Sequence, residues 1–275
     1  MIQINDVYFT YPNGNRALNG ITLEINQGEF VGLIGKNGAG KTTLAKLMNG
    51  LLKPEKGKIL VDGIDTRETT VAELAKRVGY VFQNPDRFLF SESVEKEIEF
   101  TLKNLGFEGD ELRNRLEETL IEFDLTKYRK RSPFFLSGGE KKKVALASVL
   151  CTKPKYLILD EPTVGQDRIE KARIIDLIEK LRKENVAIIM ITHDIEFVAE
   201  YIPRVVVMAD GMVVADGPTK KVLSNLDILS LSNLTPPLLG SLFIELKKNN
   251  IPVNEFITLN DAIEQIKKII FRGLR

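Results

Sequence analysis

The sequence predicts an α/β fold in which two strand-rich stretches are separated by an inserted helical segment. Three observations predict it. Residues 30–34, 156–159 and 186–192 are apolar runs of the buried-strand type. The first run is followed by a glycine-rich loop and a helical pattern. Residues 86–153 carry apolar side chains three or four positions apart, which is typical of amphipathic helices.

Antiparallel strands are predicted near both ends of the strand-rich part. Residues 2–7 alternate apolar and polar side chains, as a half-exposed antiparallel strand does, and Tyr8 and Phe9 extend that pattern. Residues 205–214 form two apolar runs around an Asp-Gly pair, which favours a hairpin turn. We therefore expect an antiparallel β subdomain beside a parallel sheet.

The glycine-rich loop, residues 35–42, fits the pattern G-x-x-x-x-G-K-[ST] at every fixed position, which defines a Walker A motif. Glycines let backbone N–H groups turn towards phosphate, and the following helix N-terminus attracts an anion. Lys41 is expected to reach the β- and γ-phosphates, and Thr42 to ligate Mg²⁺. The residues expected to bind the nucleotide here are Gly35, Asn37, Gly38, Gly40, Lys41, Thr42 and Thr43.

Two carboxylates, Asp160 and Glu161, end the apolar run at 156–159 and look like a Walker B motif. Asp160 is expected to hold Mg²⁺ directly or through water, because this ion prefers oxygen ligands. Glu161 is placed to orient the attacking water or to take its proton. A solvated strand end is the alternative, and the Walker A loop in the same chain argues against it.

His193 is the only histidine and follows the buried-strand run at 186–192. A lone histidine is more often an ordinary surface or core residue than a catalytic one. The position after the strand that follows Walker B favours a catalytic role, in which the imidazole contacts the γ-phosphate and the attacking water.

The pentapeptide Leu136-Ser137-Gly138-Gly139-Glu140 precedes a helical pattern. Its serine hydroxyl, paired glycines and helix N-terminus are suited to an anion. Two anion sites in one chain require either two ligands or a second copy of the chain.

These motifs, in this order, resemble an ATP-binding cassette protein. The resemblance covers residues 1 to about 222 and implies a P-loop NTPase fold, with a RecA-like lobe, an antiparallel β subdomain and a helical lobe at about 86–153. It implies ATP and Mg²⁺ as cofactors and ATP hydrolysis as the activity. It also implies a head-to-tail dimer, in which ATP lies between one chain's Walker motifs and the other chain's pentapeptide. The chain divides into a cassette domain, 1–220, and an α-rich extension, 221–275.

The resemblance assigns further single residues. Tyr11 matches an aromatic that stacks on adenine, and such stacking is worth roughly 1–3 kcal/mol. Gln83 would join the lobes, bind Mg²⁺ or water and act with Glu161 and His193 in catalysis. Asp167 would end a loop at the dimer interface.

Several short strings look like the ATPase of an energy-coupling factor transporter, a subfamily that imports vitamins and transition-metal ions. They lie at residues 83–86, at Phe90, and at residues 97–100 and 104–106. A helix of a membrane partner is expected on the apolar loop that follows Gln83, with local packing as the alternative. The extension resembles that subfamily's dimerisation segment, although intramolecular packing would give the same apolar stripe. The stripe consists of Ile263, Ile266, Ile269 and Ile270.

Composition limits the function classes. The 39 basic and 38 acidic residues nearly balance, so the net charge gives no electrostatic reason to expect nucleic-acid binding. A single cysteine excludes an internal disulfide. The chain start lacks signal-peptide features, and no window approaches the roughly 18 apolar residues of a spanning helix. We expect a peripheral protein at the cytoplasmic face of the cell membrane, in contact with the membrane through its partner only.

The sequence departs from the common family pattern in three places. Glu140 replaces a frequent glutamine, residues 141–143 are all lysine where many members carry Gln and Arg, and Gln166 replaces a usual leucine. None removes a catalytic group. The alternatives are another importer or exporter ATPase, a soluble cassette ATPase of translation or DNA repair, and a non-catalytic regulatory cassette.

Overall fold

The computed structural model describes residues 1–84, 86 and 88–273, with the backbone alone for 269–273. Its strands are β1 (Ile2–Thr10), β2 (Arg16–Ile25), β3 (Phe30–Ile34), β4 (Lys56–Val61), β5 (Ile64–Asp65), β6 (Val78–Val81), β7 (Tyr156–Asp160), β8 (Ala187–Ile191), β9 (Arg204–Ala209) and β10 (Met212–Pro218). Its helices are α1 (Lys41–Met48), α2 (Val71–Ala75), α3 (Val94–Asn104), α4 (Gly109–Glu122), α5 (Gly138–Leu150), α6 (Arg168–Lys183), α7 (Ile195–Tyr201), α8 (Thr219–Leu223), α9 (Leu226–Leu231), α10 (Leu238–Lys248) and α11 (Leu259–Gly273).

The N-terminal sheet is antiparallel, with strand order β2-β1-β4-β5. Ile2 and Ile4 are buried, and the residues between and after them are more exposed. In this register Ile4 lies opposite Leu23 of β2 and Ile59 of β4, so the apolar positions of three strands share one face. The predicted alternation at residues 2–7 therefore corresponds to a one-sided antiparallel sheet.

The second sheet has the order β10-β9-β3-β8-β7-β6 and is parallel except for the β9–β10 hairpin. Every residue of β3, β7 and β8 is buried, because helices and the other sheet cover both faces. This is why these strands are continuous apolar runs. In a parallel sheet the carboxyl ends of neighbouring strands meet at one edge, so β3, β7 and β8 deliver their following loops to the same place.

The segment between β6 and β7 folds as helices α3, α4 and α5 around an apolar cluster of its own. The Ser93 side chain accepts a hydrogen bond from the Lys96 N–H and caps α3. Members of the cluster are Val94, Ile98, Leu102, Leu112, Leu116, Leu120 and Val144. This is the helical segment that the three-to-four periodicity predicts.

The chain after β10 continues as helices α8 to α11. Phe243, Phe256 and Ala262 form a small buried cluster, and Lys220 pairs with Asp261 at 2.6 Å. Ile263 and Ile266 are 41% and 39% exposed, while the side chains of Ile269 and Ile270 lie outside the described residues. Ile263 and Ile266, the two residues of the predicted stripe whose side chains are described, are therefore only partly covered by this chain.

Across the described residues, no helix combines the length and the apolar character needed to cross a membrane.

The predicted α/β fold class is confirmed, including the antiparallel β part and the inserted helices. The domain boundaries near residues 86, 153 and 220 remain predictions.

Candidate functional site

The loop between β3 and α1 depends on glycine at two positions. Gly35 has φ 145° and Gly40 has φ 100°, conformations that side chains rarely adopt. A Cβ at Gly35 would lie 2.1 Å from the Met208 carbonyl oxygen, and one at Gly40 would lie 2.6 Å from the Ala17 carbonyl oxygen. The loop can therefore pack against β9 and β2 only with glycine there. Asn37 and Gly38 lie at its exposed turn, so their backbone is accessible to an anion.

Lys41, the first residue of α1, folds back over this loop. Its Nζ donates to the carbonyl oxygens of Gly35 at 2.6 Å and Lys36 at 3.0 Å. Burial lowers the pKa of Lys41, although the carboxylates of Glu161 and Asp160 act in the opposite direction. The N-terminus of α1 has no side-chain cap, so its N–H groups are available to phosphate.

The carboxylate of Asp160 lies where β7 ends beside the loop. Its Oδ2 accepts hydrogen bonds from the Tyr80 hydroxyl at 2.7 Å and from Thr42 Oγ1 at 3.3 Å. Burial and the negative Asp160 raise the pKa of Tyr80, which keeps the phenol protonated as a donor.

Glu161 and His193 face each other across the ends of β7 and β8. The Nδ1 atom of His193 lies 2.9 Å from Oε1 of Glu161. The backbone of Glu161 has φ 51°, a left-handed conformation that is uncommon outside glycine and is frequent at functional sites. Its N–H donates to the Ile191 carbonyl oxygen at 2.8 Å, which fixes this turn against β8.

The residues at this edge fit a magnesium–nucleotide complex. Mg²⁺ takes hard oxygen donors and is usually held by one or two protein groups together with phosphates and water. The Thr42 hydroxyl and the Asp160 carboxylate form such a pair. The Oε2 atom of Glu161 is buried and has no hydrogen-bond partner within the described chain, so it is a free acceptor beside them.

The N-terminus of α5 is preorganised by a capping box. Ser137 N–H donates to Glu140 Oε2 at 2.8 Å, and Ser137 Oγ accepts from the Glu140 N–H at 3.4 Å. Hydrogen bonds from the Tyr128 hydroxyl and the Ser137 N–H lower the pKa of Glu140 to about 2. Ser137 and Gly138 are exposed and Gly139 is half-buried, so this helix N-terminus is accessible to a ligand from outside the chain.

Residues from both lobes line one cavity of about 540 Å³ between α5, α6 and the β6–β7 edge. Its lining includes Gln83, Ser137, Gly139, Asp160 and Gln166. The sequence-predicted Gln83 thus borders the same space as Asp160.

Asp167 is exposed and caps α6, since its Oδ1 accepts from the Glu170 N–H at 2.8 Å. The amide of Gln166 lies between Lys142 and Glu170. Lys142 also donates to the Val164 carbonyl oxygen at 2.8 Å, which ties α5 to the loop before Asp167. The glutamine that departs from the family pattern therefore joins α5 to α6 within one chain.

Comparison with protein-family models matches residues 18–164, more than half of the chain, to the ABC transporter family. The chain belongs to the ABC transporter family. Its fold, loop motifs and strand-end carboxylates are those of the ATP-binding cassette that the sequence predicts.

Several relatives agree with this assignment. The energy-coupling factor transporter ATP-binding protein EcfA of Methanocaldococcus jannaschii is 38% identical over 97% of this chain and 96% of its own length. The solved structure of cbiO1 from Clostridium perfringens, part of the ABC transporter complex cbiONQ, superposes with a TM-score of 0.74 at 36% identity over 88% of this chain and 98% of that one. The dimeric cassette MJ0796 bound to ADP and Pi gives a TM-score of 0.70 at 29% identity over 80% and 99%.

Some relatives are longer than this ABC transporter chain. It spans only 45% and 43% of the lengths of the matched proteins from Caldanaerobacter subterraneus and Methanosarcina acetivorans.

Tyr11 lies next to the cassette's phosphate loop. Its hydroxyl lies 3.0 Å from Thr43 Oγ1 of α1, and its half-buried ring meets Phe9 edge-on at 5.0 Å. The predicted stacking on adenine remains a prediction, and the position of the ring beside α1 is compatible with it.

We expect Tyr11→Ala to weaken ATP binding by roughly 1–3 kcal/mol, because the base loses its stacking surface. Tyr11→Phe should bind nearly as the native protein does, since it keeps the ring and loses only the hydroxyl contact with Thr43. Titration calorimetry with a non-hydrolysable ATP analogue measures both, with Tyr8→Ala as a control on the same strand. An unchanged affinity in Tyr11→Ala would remove Tyr11 from the site.

We expect Glu140→Gln to keep the capping box, because glutamine accepts the same hydrogen bond from the Ser137 N–H. In the native protein the pKa of Glu140 falls from 4.5 to about 2 on folding. The ionised Glu140 therefore stabilises the folded state fully above pH 4.5, and this stabilisation is lost as the pH falls towards 2. In the glutamine variant position 140 contributes no pH dependence of stability. Thermal melting across this pH range, with surface Glu111→Gln as control, checks it. Parallel pH curves for Glu140→Gln and the native protein would contradict the prediction.

Three polar contacts at the cassette site could not be predicted from the sequence. They join Tyr80 to Asp160, Lys36 to Asp210 at 2.8 Å, and Lys171 of α6 to Asp194 at 2.5 Å. Each pair is far apart in the chain, so only the fold brings its members together. The one available signal is that Tyr80 is a hydroxyl-bearing residue in a strand that ends at the same sheet edge as Walker B.

Proposed function

We propose that this chain is the ATP-hydrolysing subunit of an energy-coupling factor transporter and energises uptake of a vitamin or a transition-metal ion. Its similarity to EcfA over nearly the full length of both chains supports the subfamily. The observation that best supports ATP hydrolysis is the Glu161–His193 pair at 2.9 Å, beside the Thr42–Asp160 contact.

The site supports hydrolysis by a general base. Lys41 and the α1 N-terminus hold the phosphates, and bound Mg²⁺ supplies positive charge that offsets the charge on the phosphates. Glu161 Oε1 accepts a hydrogen bond from His193 Nδ1, so its second oxygen, Oε2, can take the proton of the attacking water. A hydrogen bond from the remaining nitrogen of His193, Nε2, to the γ-phosphate would require the imidazolium form, because a phosphate oxygen only accepts.

The proposal includes a second cassette. The N-termini of α1 and α5 are two candidate anion sites in one chain, and at the second of them Ser137 and Gly138 are exposed. Dimeric cassettes are known among the structural neighbours. ATP bound between the P-loop of one chain and Ser137 of the other would close the dimer, and hydrolysis would let it open.

A membrane partner is proposed to dock beside the loop that follows Gln83. Phe90 and Phe100 are 58% and 47% exposed, and their rings meet edge-on at 4.8 Å. The buried carboxylate of Glu97 accepts from the N–H groups of Phe90 and Ser91 at 3.0 and 2.8 Å and fixes the backbone at these two residues. An exposed aromatic pair, formed by Phe90 before the start of α3 and Phe100 within α3, is suited to receive a helix of a membrane protein. As the helical lobe moves with nucleotide state, that helix would move with it.

Purification from native membranes in mild detergent tests the proposal. An integral membrane protein is expected to copurify, and Phe90→Ser should release it. Ile121→Ser is the matched control, because Ile121 is 69% exposed on the same lobe but lies on α4. Copurification with ribosomes or a DNA-repair complex would overturn the transport function.

A further inference from the structure

Tyr80 lies inside the sheet at a position from which its hydroxyl reaches the Walker B carboxylate. In the β6–β7 register Tyr80 is opposite Ile158, so Asp160 is the diagonal neighbour two residues further along the same face. The side chains are 6% and 8% exposed, and the hydrogen bond of 2.7 Å is shielded from water. Phe82 packs on the Tyr80 ring at 4.4 Å between centroids, which limits movement of the phenol.

The hydrogen bond from Tyr80 occupies only one of the two carboxylate oxygens of Asp160. Oδ2 accepts from Tyr80 and, at 3.3 Å, from Thr42. Oδ1 receives no hydrogen bond from the described part of the chain. A carboxylate held through one oxygen has a fixed orientation, and its other oxygen remains available to Mg²⁺ or to water bound to Mg²⁺.

We propose that Tyr80 is a positioning residue for the magnesium site, and that it acts by holding Asp160 through Oδ2 so that Oδ1 faces the metal. The inference rests on the ATPase function proposed above. Thr42 cannot replace Tyr80, because its contact with Oδ2 is longer and the same hydroxyl is the expected ligand of Mg²⁺.

Tyr80→Phe removes the hydroxyl and keeps the ring. Hydrogen-bonding partners of metal ligands typically contribute about 10–100-fold in metal affinity, so we expect the half-saturating Mg²⁺ concentration to rise by about 10-fold or more. It is measured by titrating Mg²⁺ into the protein with a non-hydrolysable ATP analogue and following heat. Affinity for the analogue in EDTA should stay at the native value, because Tyr80 touches the carboxylate and not the phosphate loop.

Tyr156→Phe is the matched control. Tyr156 is a buried tyrosine on the adjacent strand and donates to Asp62 Oδ1 at 2.6 Å, at the opposite end of β7. Both variants lose one tyrosine–aspartate hydrogen bond, so both should melt at lower temperature than the native protein. Only Tyr80→Phe should need more Mg²⁺.

A double-variant comparison shows whether Tyr80 acts on the Mg²⁺ requirement through Asp160 or through a general effect on the fold. In an Asp160→Asn background Tyr80→Phe should change the Mg²⁺ requirement little, because its effect passes through the carboxylate. A native Mg²⁺ requirement in Tyr80→Phe, or a full additional shift in the Asp160→Asn background, overturns the inference and leaves the ATPase proposal standing. Failure of the native protein to bind the analogue overturns the ATPase proposal instead.

Discussion

Replacing Glu161 by glutamine is expected to lower ATP turnover by about 10²–10⁴-fold while leaving ATP binding intact. Glutamine keeps the size of the side chain and can still accept from His193 Nδ1 through its amide oxygen, but it cannot take a proton from water. The native carboxylate has a buried, unpartnered Oε2 for that step within the described chain. Because hydrolysis resets the cycle, the variant should accumulate as an ATP-bound closed dimer.

Steady-state phosphate release and size-exclusion chromatography with ATP and Mg²⁺ measure the two consequences of Glu161→Gln. Glu73→Gln is the control, since Glu73 is an exposed carboxylate on α2 paired with Lys76. Turnover at the native rate would show that Glu161 is not the base. Loss of both binding and turnover would point to a folding defect at the strained φ of Glu161.

Ser137→Ala is expected to lower turnover by about 10²–10³-fold, although Ser137 lies on another lobe than the Walker A loop. Its hydroxyl is an exposed donor at a preorganised helix N-terminus, and in the dimer it would face the phosphates bound by the other chain. Lys41→Ala should have a similar effect from the other side of the same pocket.

The control for Ser137→Ala must reproduce the loss of a helix cap, which costs about 1 kcal/mol. Ser93→Ala meets this requirement, because Ser93 caps α3 of the same lobe through the Lys96 N–H at 3.2 Å. Both variants should melt slightly earlier than the native protein, and only Ser137→Ala should lose turnover. Equal losses of turnover would attribute the effect of Ser137 to stability alone.

The parts of the site that are contiguous in sequence could be predicted from it. The loop at residues 35–42 is specified by local backbone requirements, which Gly35 and Gly40 confirm through their positive φ values and close neighbours. The buried strands β3, β7 and β8 are equally local, because burial on both faces leaves continuous apolar runs. The start of α5 at the pentapeptide is equally local, whereas the capping box between Ser137 and Glu140 was found only in the structure.

The contacts that join distant segments could not be predicted in the same way. The Tyr80–Asp160 bond depends on the pairing of β6 with β7 and on their register, which no periodicity encodes. The Lys171–Asp194 pair likewise requires α6 and the loop before α7 to lie together. The string at residues 83–86, which supports the subfamily, includes Pro85 outside the described residues.

The central claim is that one chain holds only half of each working pocket. Mixing Lys41→Ala with Ser137→Ala chains tests it most directly, because a mixed dimer contains one pocket with both groups intact. We predict that the mixture hydrolyses ATP although each variant alone does not, and that this activity per chain falls on dilution. No recovery in the mixture, together with native turnover that is unaffected by dilution, would contradict the shared pocket.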